Sequence, residues 1–129
     1  MRTLTTMMIP FALFAASCAT STVDGPHDVS LTLVRPANQT LKPGETNKIS
    51  IAIVRKNFDG AVPLTFSGLP SGVEVVEQDH RIEAGDSIRT FTLYADPGTD
   101  VVVDRVVRVR AEGPNGIATT QTFRVTVQS

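Results

Sequence analysis

Between Asp28 and Val127 apolar side chains fall at every second position in seven separate runs, a spacing that belongs to β-strands and not to amphipathic helices. Val29, Leu31 and Leu33 alternate with Ser30, Thr32 and Val34, and the run stops at Pro36. Ile49, Ile51 and Ile53 alternate with Ser50, Ala52 and Val54, a stretch rich in the β-branched residues that fit a pleated surface. Val62, Leu64 and Phe66 make a third strand. Pro63 inside it has no amide donor, so it belongs at an edge or a strand start. Val73 and Val75 form a short fourth. Phe91, Leu93 and Ala95, then Val107, Val109 and Ala111, then Phe123, Val125 and Val127 complete the set.

The separators are turn formers: Pro43-Gly44, Asp59-Gly60, Pro70-Ser71-Gly72, Gly85-Asp86, Pro97-Gly98 and Gly113-Pro114-Asn115-Gly116. Short alternating strands with turn signals every 8–12 residues or so predict an antiparallel β-sandwich, with a closed barrel as the alternative. The expected core is Leu31, Leu33, Ile49, Ile51, Ile53, Leu64, Phe66, Phe91, Leu93, Val107, Val109, Phe123 and Val125.

The N-terminal segment is of another kind. Met1-Arg2-Thr3-Leu4 is followed by an apolar stretch from Met7 to Ala16, which is too short to span a bilayer and contains Pro10. Small residues, Ala16 and Ser17, precede Cys18, the only cysteine. A charged start, an apolar run and a small-residue site describe a secretory signal peptide. The cysteine directly after the small residues resembles the lipobox of bacterial lipoproteins, although Ala15 stands where that family usually has leucine. The resemblance implies cleavage before Cys18 and attachment of acyl chains, palmitate among them, to that residue. Two or more chains hold a protein on a membrane where one alone binds reversibly. Ala19 after the cysteine, rather than aspartate, resembles the pattern sorted to the outer membrane in double-membraned bacteria. The alternative is an ordinary signal peptide cut near Ala16, leaving a free thiol.

The domain organisation expected is therefore a signal peptide over 1–17, a lipidated tether over 18–27 and a sandwich over 28–129. The stretch from Ala19 to His27 is small, polar and without periodicity, so it reads as a flexible tether of about 15–20 Å. Removing residues 1–17 takes away one of the 12 basic residues, Arg2, and leaves 11 against 13 acidic ones. A balance so close to neutral gives no electrostatic footprint for nucleic acid or anionic lipid. One cysteine allows no disulfide within the chain, so packing alone must stabilise the fold.

Three segments carry a second resemblance. Leu41-Lys42-Pro43-Gly44-Glu45-Thr46, Val54-Arg55-Lys56-Asn57-Phe58-Asp59-Gly60 and Val62-Pro63-Leu64-Thr65-Phe66-Ser67-Gly68-Leu69-Pro70-Ser71-Gly72-Val73 resemble bacterial extracellular immunoglobulin-like modules, fibronectin-III-like in character. Ile82-Glu83-Ala84-Gly85 and Ala95-Asp96-Pro97-Gly98 fit the same pattern. The resemblance covers about residues 28–129 and implies a seven-stranded immunoglobulin-like sandwich. It implies little about activity, because such modules accompany many unrelated functions. Tryptophan and the cysteine pair of antibody-type domains are absent. Phe58 and Leu69 are expected to cap the ends of the core.

Groups capable of chemistry are few. His27 lies in the tether and His80 in a polar turn, where a solvated histidine is expected. No nucleophile sits in a recognisable strained turn, so no enzymatic activity and no cofactor are expected. The best metal candidates are Asp96, Asp100 and Asp104, carboxylates at one tip that could serve calcium, a hard ion wanting six to eight oxygens. Their spacing does not match the Asp-rich calcium loop, and Val101-Val102-Val103 interrupts them. Tyr94 is the only tyrosine, too little for an aromatic carbohydrate platform. Arg108 and Arg110 share one strand face with Arg105 nearby, an arrangement expected to keep that face soluble. The function expected is that of a non-catalytic lipoprotein of the cell envelope, held to the membrane by its N-terminal lipid. Its sandwich would be structural or would bind an envelope protein at a sheet edge or the loop tips. The alternative is a lipoprotein that binds calcium or a small ligand through the loop carboxylates.

Overall fold

The computed structural model describes residues 19–129. The expected signal peptide and Cys18 lie outside the described residues. Ten strands form two five-stranded sheets packed face to face. In chain order they are β1 (Thr20–Asp24), β2 (Ser30–Val34), β3 (Gln39–Leu41), β4 (Thr46–Lys56), β5 (Val62–Ser67), β6 (Val73–Val75), β7 (Arg81–Ile82), β8 (Ile88–Ala95), β9 (Val102–Glu112) and β10 (Ala118–Val127). One sheet runs β1-β2-β4-β8-β6 and the other β3-β10-β9-β5-β7. No α-helix occurs among the described residues.

This strand order is that of an immunoglobulin-like sandwich. β2, β4, β8 and β6 take the places of strands A, B, E and D, while β5, β9 and β10 take those of C, F and G. β7 adds a short strand beside the C position. All seven expected strands are present, and Pro63 is the second residue of β5, at the strand start. The two sheets remain distinct, which decides for the sandwich over the barrel.

Three differences from expectation have physical causes. First, the segment expected as a flexible tether is mostly strand: Thr20–Asp24 pairs antiparallel with β2, from Thr20 opposite Val34 to Asp24 opposite Ser30. The sandwich therefore begins at Thr20 rather than residue 28. Thr22 and Thr32 share a hydroxyl hydrogen bond of 2.7 Å across that pair. Ser21 Oγ lies 2.6 Å from Thr119 Oγ1 and donates to the Thr120 carbonyl at 3.0 Å, fastening β1 to β10 of the other sheet. Second, β3 runs parallel to β10, so the pairing is not wholly antiparallel. β2 and β3 form one extended passage that crosses between the sheets at the buried Pro36, and its direction is inherited from β2. Third, β9 carries a bulge. Val125 faces Arg105 while Val127 faces Val102, so one strand spends an extra residue between those rungs. Asp104 supplies it with φ of 53°, a left-handed conformation that Asp tolerates better than most side chains, and its N–H donates to Thr126 Oγ1 at 3.0 Å.

Every expected core residue is buried except Phe66, which is half-buried and packs against the cluster. Leu41, Val62, Ile82, Ala95, Ala111 and Val127 join them. On β5, Leu64 and Phe66 occupy the strand that carries tryptophan in antibody domains. Phe58 and Leu69 also pack against the core, capping its ends as expected.

Candidate interaction surfaces

Neither histidine stands in a catalytic setting. His27 is in the one-turn segment Pro26–Asp28 between β1 and β2, with φ of 61°. His80 is not the solvated residue expected. It is half-buried, its ring 5.5 Å from Phe66 and 6.0 Å from Phe91, edge-on to both. Its Nε2–H donates to the Glu77 carbonyl at 2.5 Å, which fixes the ring against the mouth of the core. The three tip aspartates do not assemble into a site. Asp96 follows β8 in a turn where its carbonyl accepts Thr99 Oγ1–H at 2.6 Å and its N–H donates to the Gly72 carbonyl. Asp100 is exposed, and Asp104 is set apart by the bulge with Oδ1 3.5 Å from Thr126 Oγ1. Among the described residues no three His, Cys, Asp or Glu side chains converge. A recess of about 220 Å³ between β6 and the end of β8 holds two carboxylates, Glu74 and Asp96, beside Tyr94. A second hollow of about 280 Å³ lies between Phe58, Pro63 and Pro114.

Two arginines, Arg55 and Arg89, are structural clips. Arg55 donates from Nε to the Gly60 carbonyl at 2.8 Å and from its terminal nitrogens to carbonyls of Ile82, Glu83 and Asp86. Arg89 donates to carbonyls of Asp79 and Arg81 at 2.6 and 2.8 Å and stacks over Phe91 at 4.6 Å. A planar guanidinium with five donors suits such convergence of carbonyls, whereas an ammonium does not. Both are thereby committed to the fold. Glu77 is their counterpart on the acidic side: its carboxylate accepts Thr92 N–H at 2.8 Å and Thr92 Oγ1–H at 2.9 Å. The backbone hydrogen bond from Thr92, against a smaller opposing effect of burial, holds its carboxyl below the usual range.

The remaining charges are unevenly spread over the two outer faces, which the near-neutral total conceals. On the β10-β9-β5 sheet, the outward positions of β9 carry Val106, Arg108 and Arg110, and those of β10 carry Thr120, Thr122 and Arg124. Arg108 faces Thr122 and Ser67, and Arg110 faces Thr120 and Thr65. Arg124, two residues beyond Thr122, is thus a diagonal neighbour of Arg108, about 7–8 Å away. Among the described residues only Arg81 and Arg110 form ion pairs, Arg110 with Glu112 on its own strand. Arg108 and Arg124 therefore present unneutralised guanidinium groups among hydroxyls. The expected sharing of a face by Arg108 and Arg110 is present, and Arg124 enlarges it.

The other outer face differs. Thr22, Thr32, Val54, Ala52, Ile88 and Thr90 form its middle, with Val54 58% and Ile88 57% exposed. Lys48 and Lys56 stand at its ends. The sheet edges are short: β3 and β6 have three residues each and β7 two, a common protection against edge-to-edge association. β1, with five residues, is the longest of the edge strands.

No family model and no curated protein sequence matches the chain. Among solved structures it is similar to the titin M3 domain, at 14% identity over 87% of this chain and 99% of that one, with a TM-score of 0.44. It is also similar to a chimeric titin Z1Z2 functionalised with an exogenous decorin peptide, at 18% identity over 85% and 97% of the two chains, with a TM-score of 0.46. The assignment of this chain as an immunoglobulin-like sandwich rests on its own strand order and register.

Proposed function

We propose that the chain is an acyl-anchored lipoprotein of the cell envelope whose sandwich is a non-catalytic structural or protein-interaction module. The observation that carries this reading is the place of Ala16-Ser17-Cys18 in the sequence: the lipobox-like cysteine immediately precedes Ala19, the first described residue, whose carbonyl accepts the Arg35 N–H at 2.9 Å. A cleaved signal of this type delivers the mature chain outside the cytoplasm, and a disulfide-free sandwich with a well-filled core suits that setting without any partner thiol. An outer-membrane destination would follow in a double-membraned source, on the strength of Ala19 after the cysteine.

The surface offered to a protein partner is the outer face of β2, β4 and β8, where Val54 and Ile88 stand exposed among threonines. Apolar and hydroxyl side chains without a central charge are the composition of an interface core. Mass spectrometry of the membrane fraction tests the anchor. The mature N-terminus is expected at Cys18 with the mass of its acyl chains, and Cys18→Ser is expected to leave the membrane fraction. A Cys18→Ser chain of unmodified mass that still partitions with membranes overturns the reading.

A further inference from the structure

We propose that the domain lies with its β9–β10 flank against an anionic bilayer, where Arg35, Arg108 and Arg124 meet headgroup phosphates. This rests on the acylation of Cys18 proposed above. Three observations lead to it: reach, position and charge.

The reach is short. One residue spans at most about 3.6 Å, and Cys18 is the residue next to Ala19, already hydrogen-bonded to Arg35. With Thr20–Asp24 held in a strand, no ten-residue tether remains to lift the domain from the headgroups. The fold must touch the surface to which its first residue is fixed.

Where the described chain enters the sandwich decides which part touches. Thr20 faces Val34, at the end of β2 where the chain crosses between sheets, so the chain enters on the flank of the sandwich and not at a loop-bearing tip. Beside it runs β10, reached by Ser21 through Thr119 and Thr120. Arg124 N–H donates to Asn38 Oδ1 of the same crossover at 2.9 Å, which brings Arg124 and the exposed Arg35 to one neighbourhood. Only two broad faces adjoin this flank, that of β9–β10 and that of β1–β2–β4.

Charge selects between them. The first presents Arg108 and Arg124 without ion pairs among the described residues, flanked by Thr120 and Thr122; guanidinium forks match phosphate oxygens bidentately. Exposed Val103 and Val106 adjoin them, apolar groups that a membrane interface accepts. Its acidic members are Glu112, paired with Arg110, and Asp104 at the bulge. The second face has threonine, valine and isoleucine at its centre and lysines only at its ends. An anionic surface is therefore attracted to the first.

The test uses the full acylated chain in vesicles of phosphatidylcholine with or without about 30% phosphatidylglycerol, a composition that supplies the negative surface potential. A fluorophore is placed through Thr120→Cys on the basic face or Thr90→Cys on the opposite one, and quenching by a headgroup-attached quencher is read. In the anionic vesicles quenching at position 120 is expected to exceed that at position 90 about threefold, and the ratio is expected to fall toward one in pure phosphatidylcholine or with Arg108→Glu/Arg124→Glu. Equal quenching at the two sites, or more at position 90, in a chain that floats with the vesicles overturns the docking while leaving the anchor standing. A chain of unmodified mass that does not float, with Cys18 taking label, overturns the anchor and the docking together.

Discussion

Four hydrogen bonds from Arg55 reach backbone carbonyls in two segments, at Gly60 and at Ile82, Glu83 and Asp86, and no other side chain among the described residues ties so many segments together. Glu77 does comparable work with opposite charge, drawing Thr92 of β8 toward the strap that holds His80. Since its carboxyl titrates below the ordinary value of 4.5, the folded state binds the proton less readily than the unfolded chain. The associated stability is fully present above that ordinary value and is lost as pH falls through the lower folded value. Glu77→Gln keeps an acceptor for Thr92 but removes the charge. The melting temperature of the native protein is expected to exceed that of the variant by about 2 °C or less near pH 6, small because the half-exposed group is screened by solvent. The gap is expected to close on acidification below the folded value; a gap independent of pH would show that the charge contributes nothing. None of this was legible in the sequence, because the partners of Arg55, Glu77 and His80 are brought to them by packing between strands rather than by spacing along the chain.

The bulge in β9 shows how one residue redirects an element. Counting back by twos from Val107, Val103 would face the core, yet it is 71% exposed, while Val102 is half-buried and packs against the core cluster. Asp104 inserts the extra residue that moves the phase. Asp104→Gly is expected to be nearly neutral, since glycine takes positive φ freely, whereas Asp104→Val forces a β-branched side chain into the left-handed region at a cost of about 1–3 kcal/mol. Urea unfolding of the two variants measures the difference. Equal stability would mean that the bulge relocates or is not needed. The seven principal strands could be read from alternation because each buries one complete face. β1 could not: Thr20–Asp24 has no fully buried side chain, so its pattern is indistinguishable from that of a solvated segment. β3 and β7, at three and two residues, are too short to express a period. Of the surface features, the shared face of Arg108 and Arg110 was legible from their spacing, but the arrival of Arg124 beside them depends on the β9–β10 register.

At the scale of the whole molecule, pairing of β1 with β2 converts a tether into part of the domain and thereby fixes orientation. With the β9–β10 flank down, the face bearing Thr32, Val54, Ile88 and Thr90 turns away from the bilayer, where a protein partner can reach it. The two proposed contacts then use opposite sides of one sandwich and do not compete. A chain lengthened between Cys18 and Ala19 separates anchoring from orientation. Ten inserted Gly/Ser residues give a leash of about 15–20 Å, enough for the domain to leave the headgroups and to lower the effective concentration of its arginines at the surface. Acylation and flotation are expected to remain unchanged, because neither depends on the insert. The excess quenching at position 120 over position 90 is expected to fall by about half or more at ordinary ionic strength and to vanish at about 0.5 M salt, where screening shortens the reach of the arginines to a few ångströms. Quenching that survives both insertion and salt would place the hold in apolar contacts around Val103 and Val106, and Arg108 and Arg124 would lose their role.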